Sequence, residues 1–330
     1  MNKVFKDQVI LVTGGTGSIG SELVRQLLKF EPKQVRVLSR NETRQYKLIE
    51  SLGYPDNLRM LIGDIRDRER LQLAFRNVDI VFHAAALKHV PFCEYNPSEA
   101  MKTNIIGSHN VVDAALHNGV KTVVAISTDK AANPLNTLGT SKLMMEKVFI
   151  NSNYILDDKI NFACVRFGNV SWSDGSVLQM WKKQAETAGV INVTNKKATR
   201  FFMSVDQAVG LILKAAALSQ GGEIFVLKMP SIRLSDLSKV FIRKYFPEKG
   251  IKIKEIGDRA GDNPHEVLVG SSDWNKAVWS NKDMFILLPA THIYGLNRPP
   301  QFYKGFKKIS NLLGFSSKDH LNVRAVEKII

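Results

Sequence analysis

Apolar positions along the chain follow two alternating rhythms. Val9-Ile10-Leu11-Val12 is an unbroken apolar run, as a strand buried on both faces of a parallel sheet requires. A glycine-rich turn follows, and then Ile19, Leu23, Leu27 and Phe30 recur at helical spacing. Short apolar runs at 35–38, 78–86, 123–126 and 161–165 read as further strands, and a helical pattern through 100–117 is closed by Asn118-Gly119. Repeated strand–helix units predict an α/β fold, a doubly wound parallel sheet with helices on both faces.

Past residue 168 the pattern is mixed. Residues 177–188, 205–218 and 234–245 carry helical periodicity, whereas 223–228 and 251–256 read as strands. No Pro/Gly/Ser linker divides the chain. The expectation is a sheet domain over 1–168, completed by a segment near 201–226, and a smaller α/β lobe built mainly from 169–330, with a cleft between them. Residues 303–315 are basic and amphipathic, with Phe306, Ile309 and Leu313 set against Lys304, Lys307 and Lys308. They predict a helix packed on its own domain, with contact to a membrane surface as the alternative.

Composition narrows the class. The 330 residues are 44% apolar and 23% charged, which excludes disorder, collagen and coiled coil as descriptions of the whole chain. The formal charge is +15, but the basic residues are scattered rather than blocked, and no nucleic-acid motif accompanies them. An anionic ligand is the expected reason for the charge, not nucleic acid. Cys93 and Cys164 are the two cysteines; they make no disulfide framework and suit a reducing compartment. No run approaches the roughly 18 consecutive apolar residues of a membrane span, and residues 1–8 do not read as a signal peptide. A soluble, cytoplasmic protein is expected. The seven histidines show no metal-ligand spacing, so no metal is expected.

Thr13-Gly14-Gly15-Thr16-Gly17-Ser18-Ile19-Gly20 follows a strand and opens a helix. That context is the one in which such glycines let a backbone approach a pyrophosphate seated on a helix N-terminus. Gly14, Thr16, Gly17, Ser18 and Ile19 are therefore expected to bind a dinucleotide in a Rossmann domain. The second strand ends in Ser39-Arg40, where NAD sites place a carboxylate. A hydroxyl and a guanidinium, with Arg44 as a second cation, suit a 2′-phosphate, so NADP is favoured over NAD. Asp64, beside Ile65 after the third apolar stretch, can bond an adenine amine or cap a turn.

The strand at 123–126 ends in Ser127-Thr128-Asp129-Lys130, and Leu138-Gly139-Thr140-Ser141-Lys142 opens a helix over 142–150. Ligands of open parallel sheets lie beyond the carboxyl ends of the strands. A hydroxyl, a carboxylate and two amines thus gather where a nicotinamide would lie. Together with His83-Ala84-Ala85-Ala86, Arg166-Phe167-Gly168-Asn169-Val170, Thr199-Arg200-Phe201 and His265-Glu266-Val267, these segments resemble the extended short-chain dehydrogenase/reductase superfamily. Within it they resemble the soluble NADP-dependent UDP-N-acetylglucosamine 4,6-dehydratases. The resemblance runs from residue 9 to about 270 and implies a UDP-sugar-binding C-terminal lobe.

It also implies redox-neutral dehydration of a UDP-N-acetylhexosamine and a homo-oligomeric, polysaccharide-building enzyme. In it Asp129 is the acid, Lys130 the C5 base, and Lys142 the holder of the nicotinamide ribose. Ala84 and Ala85 would line the cofactor site. Lys88, Asn169, Arg200, Arg259 and Glu266 would contact the substrate, the arginines and Asn169 at its diphosphate and Glu266 at the uridine ribose. Leu138 departs from the superfamily's Tyr-x-x-x-Lys pattern, which leaves Thr128, or Asp129 directly, to take the C4 hydroxyl proton. A base lysine must be neutral, and Lys142 and the nicotinamide cation are expected to lower the pKa of Lys130. A C4 epimerase or ketoreductase, and a non-catalytic NADP-binding sensor, are the alternative readings.

Overall fold

The computed structural model describes residues 1–155, 160–273, 277–288, 301–309 and 314–330. The strands, in chain order, are β1 Val9–Thr13, β2 Gln34–Ser39, β3 Leu58–Ile62, β4 Ile80–His83, β5 Thr122–Ile126, β6 Asn161–Arg166, β7 Asn169–Val170, β8 Val190–Val193, β9 Thr199–Met203, β10 Ile224–Leu227, β11 Ser231–Arg233, β12 Lys252–Glu255, β13 Val267–Val269, β14 Ala277–Ser280, β15 Met284–Leu288, β16 Lys307–Ile309 and β17 Phe315–Ser316. Ten of them form one sheet in the order β16-β14-β15-β10-β6-β5-β4-β1-β2-β3.

The run from β3 to β10 is parallel at every pairing. All five residues of β1 are buried, which is why that strand reads as continuously apolar: helices cover both its faces. The helix Ser18–Leu28 buries Leu23, Val24 and Leu27 against it. Strand order reverses between β1 and β4, and at such a switch point the crevice beyond the strand ends is open to a ligand. The observed α/β doubly wound sheet is the expected one, and the helix expected over 142–150 starts earlier and runs over Thr137–Ile155. The pattern through 100–117 contains a π-helical stretch, Met101–Ile106, before the α-helix Gly107–His117.

Sequence periodicity does not reveal the antiparallel extension. β10 pairs antiparallel with β15, β15 with β14, and β14 with β16. The expected helix over 303–315 is not formed in its described part. Tyr303 is 1% exposed, its hydroxyl donates to Glu223 Oε1 at 2.7 Å, and Lys307–Ile309 is the edge strand β16. The spacing that suggests an amphipathic helix there reflects a buried Tyr303 followed by an edge strand whose lysines face water. Leu313 lies outside the described residues.

A second core lies beyond the main sheet. Trp181 and Leu178 from the helix Val177–Ala188, Phe241 and Leu237 from the helix Leu234–Tyr245, and Ile191, Phe202 and Ile232 pack together. Two small sheets, β11-β9-β7 and β12-β8, sit against these helices.

Candidate active site

A cleft of about 1000 Å³ opens beyond the carboxyl ends of the parallel strands and runs to the second core. Every candidate binding or catalytic residue named from the sequence lines it, from Gly14 on the main sheet to Glu266 beside β13.

At one end is the glycine turn. Gly14 has φ +67°, and a Cβ there would lie 2.6 Å from the Ala85 nitrogen. The turns after β1 and β4 thus touch backbone to backbone, and only glycine permits it. A Cβ on Gly20 would lie 2.4 Å from the Gly14 carbonyl oxygen. Gly17 is the N-cap of the helix Ser18–Leu28, and no side chain caps it. The first-turn N–H groups therefore offer a ready seat for an anion. Thr16, Ser18, Ile19, Ala84 and Ala85 line the same end.

Ser39, Arg40 and Arg44 form its rim. Arg40 lies 3.7 Å from the Asp64 carboxylate and Arg44 3.5 Å from that of Asp174. Both guanidiniums are more than half exposed. Asp64 accepts from the Arg66 backbone N–H at 2.9 Å and from the Arg66 guanidinium at 2.7 Å. These contacts cap the turn, one of its two expected roles. Burial pushes the Asp64 carboxyl up, but the Arg66 hydrogen bonds and the charges of Arg66 and Arg40 outweigh this and hold it below the usual range. Ile65 is buried alongside.

The cluster after β5 occupies the middle of the cleft. Thr128 is the N-cap of a 3₁₀ turn, Asp129–Ala131, that carries Asp129 and Lys130. The Thr128 hydroxyl donates to Asp129 Oδ1 at 2.8 Å. Asp129 is 2% exposed, and its other oxygen, Oδ2, is buried without a hydrogen-bond partner among the described residues. Lys130 Nζ lies 3.1 Å from Asp129 Oδ1 and 3.1 Å from Glu266 Oε1. Arg200 Nε is 3.8 Å from the same Glu266 oxygen.

The electrostatics of Lys130 reverse the expectation. Burial disfavours its charge, but Asp129 and then Glu266 more than compensate, and the amine is pushed up to about 12. Lys130 is an ammonium here because two carboxylates flank it. Lys142 behaves oppositely. It is buried on the helix Thr137–Ile155, its Nζ donates to the Ile126 carbonyl at 2.8 Å, and burial lowers it to about 8.

Leu138 is one turn before Lys142, 4% exposed, and packs with Cys93 and Ala100. It offers no proton-transfer group, and its side chain belongs to that small apolar cluster.

Farther along, Asn169 begins β7 and Arg200 belongs to β9. Arg200 Nη1 donates to the Thr199 and Pro264 carbonyls, which orients its guanidinium. Arg259 pairs with Asp262 at 3.0 Å and is half exposed. Lys88 donates to the Asp174 carbonyl at 2.7 Å, and the Asp174 N–H donates to Ser18 Oγ at 2.8 Å. A strap at 171–176 therefore crosses close to the glycine turn.

Glu266, expected at a ribose, is 3% exposed and lies against Lys130 and Arg200. It is held there by Ser317: Ser317 Oγ accepts from the Glu266 N–H and bonds Thr199 Oγ1. Sequence reasoning missed this carboxylate–ammonium–carboxylate arrangement, since no local spacing links Glu266 to Lys130.

Over residues 10–287 the chain matches the family described as polysaccharide biosynthesis protein. The chain belongs to that family. The chain is 45% identical over 338 residues to the uncharacterized membrane protein MJ1061 of Methanocaldococcus jannaschii, covering 100% of this chain and 97% of the relative. It is 43% identical over 273 residues to a UDP-N-acetylglucosamine 4,6-dehydratase (inverting) of Campylobacter jejuni, covering 82% and 80%. It is 37% identical over 334 residues to a UDP-glucose 4-epimerase of Rickettsia akari, covering 99% and 96%. The solved structure of Pen from Bacillus thuringiensis superposes with a TM-score of 0.89 at 38% identity, covering 98% of each chain. This family member is thus similar to sugar-nucleotide dehydratases and epimerases. No helix among its described residues is long and apolar enough to cross a membrane.

Proposed function

We propose that the chain is a UDP-N-acetylglucosamine 4,6-dehydratase that works with bound NADP and yields a UDP-4-keto-6-deoxy-N-acetylhexosamine. The observation that carries this reading is the buried Asp129–Lys130 ion pair at the centre of the cleft. Moving a hydride at C4 alone has no use for an acid and a base at C6 and C5; eliminating water needs both.

The glycine cradle fits a dinucleotide: the uncapped helix N-terminus takes the pyrophosphate, and the Gly14–Ala85 approach leaves no room for any other residue. Arg40 and Arg44 would hold a 2′-phosphate, and Lys142 the nicotinamide ribose. When bound, the cofactor would supply a reversible hydride acceptor. Asn169, Arg200 and Arg259 would hold the UDP diphosphate.

The chain's own groups move the protons. Thr128 takes the proton of the C4 hydroxyl and passes its own to Asp129 Oδ1, along the hydrogen bond already in place. Asp129 is then an acid, and it gives that proton to the departing C6 hydroxyl. Lys130, as a neutral amine, removes the C5 proton, which the C4 ketone has made acidic, and returns a proton to C5 once C6 is reduced. One water leaves, and Asp129 and Lys130 return to their starting protonation.

A C4 epimerase is the second reading, favoured by the 37% identity to the Rickettsia akari epimerase along 99% of the chain. Incubation with NADP and UDP-N-acetylglucosamine in D₂O, followed by NMR, separates the two. Dehydration gives a 6-methyl signal with deuterium at C5. A C4 epimer with unlabelled C5 supports the epimerase, and unchanged starting material defeats both.

A further inference from the structure

Lys130 can act as a base only after losing a proton, yet it rests between two carboxylates as an ammonium. The charged groups facing it are Asp129 from its own turn, Glu266 from the segment before β13, and Arg200 from β9. Lys142, on the helix packed against that turn, instead directs its amine to the Ile126 carbonyl. The two carboxylates are not equivalent. Asp129 Oδ1 already accepts the Thr128 hydroxyl at 2.8 Å and is needed empty for the proton arriving from C4. Glu266 receives no hydroxyl on its carboxylate among the described residues; its contacts are Lys130 and Arg200.

We propose that Glu266 is the proton-holding partner of Lys130, a positioning residue that receives the ammonium proton and so creates the base. An Nζ–H bond breaks and an O–H bond forms on Glu266 Oε1 across the 3.1 Å contact. No electrons are transferred, and the pair keeps its net charge. This makes the exchange tolerable in a buried site, since an ion pair becomes a neutral pair instead of one lone charge. Burial, the largest influence on Glu266, pushes its carboxyl up and so suits it to hold a proton. The assignment rests on the dehydration proposed above, and it removes Glu266 from the uridine ribose.

The test compares wild type with Glu266→Gln, both loaded with NADP. In the variant the Lys130 proton has no acceptor but solvent. At neutral pH, kcat for dehydration and the C5–deuterium exchange rate should fall about 100-fold. Both should then climb with pH, while wild type stays flat over the same range and KM for UDP-N-acetylglucosamine changes little. A raised KM with wild-type kcat and a wild-type pH profile would overturn the proposal and return Glu266 to substrate binding.

A second measurement needs no turnover. The ¹³Cε resonance of Lys130, assigned by its loss in Lys130→Arg, should titrate roughly 1–3 pH units lower in Glu266→Gln. An unmoved midpoint overturns the linkage even if the protein dehydrates its substrate. A moved midpoint in a protein that leaves the sugar intact supports the linkage and defeats the dehydratase reading instead.

Discussion

The Thr128 hydroxyl donates a 2.8 Å hydrogen bond to Asp129 Oδ1, while Asp129 Oδ2 is buried with no hydrogen-bond partner among the described residues. In the dehydration proposed above, this pair would take the place of the phenol that Leu138 cannot supply. Thr128→Val removes the only hydroxyl bonded to Asp129 among the described residues, so the C4 proton has no relay. Formation of reduced cofactor in a single turnover, followed by absorbance, should slow by about 10²–10⁴-fold. Cofactor affinity should be unchanged. A Thr128→Ser variant should keep most of the rate, because the hydroxyl remains.

Arg40 and Arg44 rim the cleft after β2, each with a loose carboxylate partner at 3.7 and 3.5 Å. A 2′-phosphate would draw both into charge-assisted hydrogen bonds. Both are more than half exposed, so each contact is screened and worth little beyond one tenfold step. Arg40→Ala and Arg44→Ala should each weaken NADP by about tenfold in a fluorescence titration, and leave NAD binding within a factor of two or so. Equal losses for both cofactors would contradict the assignment to the 2′-phosphate.

Lys142 is lowered to about 8 by burial, from its ordinary value of 10.5. Above pH 10.5 the amine is neutral in both folded and unfolded chains, and it contributes no pH dependence. Between about 8 and 10.5 the unfolded chain holds the extra proton, so folding stability rises with pH. Below about 8 both states are charged, and the cost of burying the ammonium is fully present. Urea unfolding of wild type and Lys142→Met across this window should therefore show a steeper rise with pH in wild type. Parallel curves would place the titration elsewhere.

Arg166 is fully buried, with Nη2 2.6 Å from Glu146 and Nη1 2.6 Å from Asp273. Glu146 belongs to the helix that carries Lys142, and Asp273 to the segment just after β13. The guanidinium ties the helix that carries Lys142 to the stretch that delivers Glu266. Arg166→Met leaves two carboxylates buried without their cation and should cost about 3–5 kcal/mol in urea unfolding. Adding Glu146→Gln and Asp273→Asn to Arg166→Met should recover part of that loss, since the stranded charges are gone.

Much of this protein is legible in short stretches of chain. The unbroken apolar run of β1, the glycines after it and the helical recurrence of Leu23 and Leu27 settle a nucleotide-type turn and its helix, because element type follows from local periodicity. Thr128, Asp129 and Lys130 stand out at the end of β5 because a strand end in a parallel sheet faces the crevice. The ionisation of Lys130 and the place of Glu266 were decided only by tertiary structure. So were the edge strand β16 and the ion cluster around Arg166. A lysine's charge answers to whatever groups surround it within a few ångströms. For Lys130 one of those groups arrives on a remote segment pinned by Ser317. Sequence neighbours carry no record of that approach, so periodicity specified the parts and packing alone set their charges.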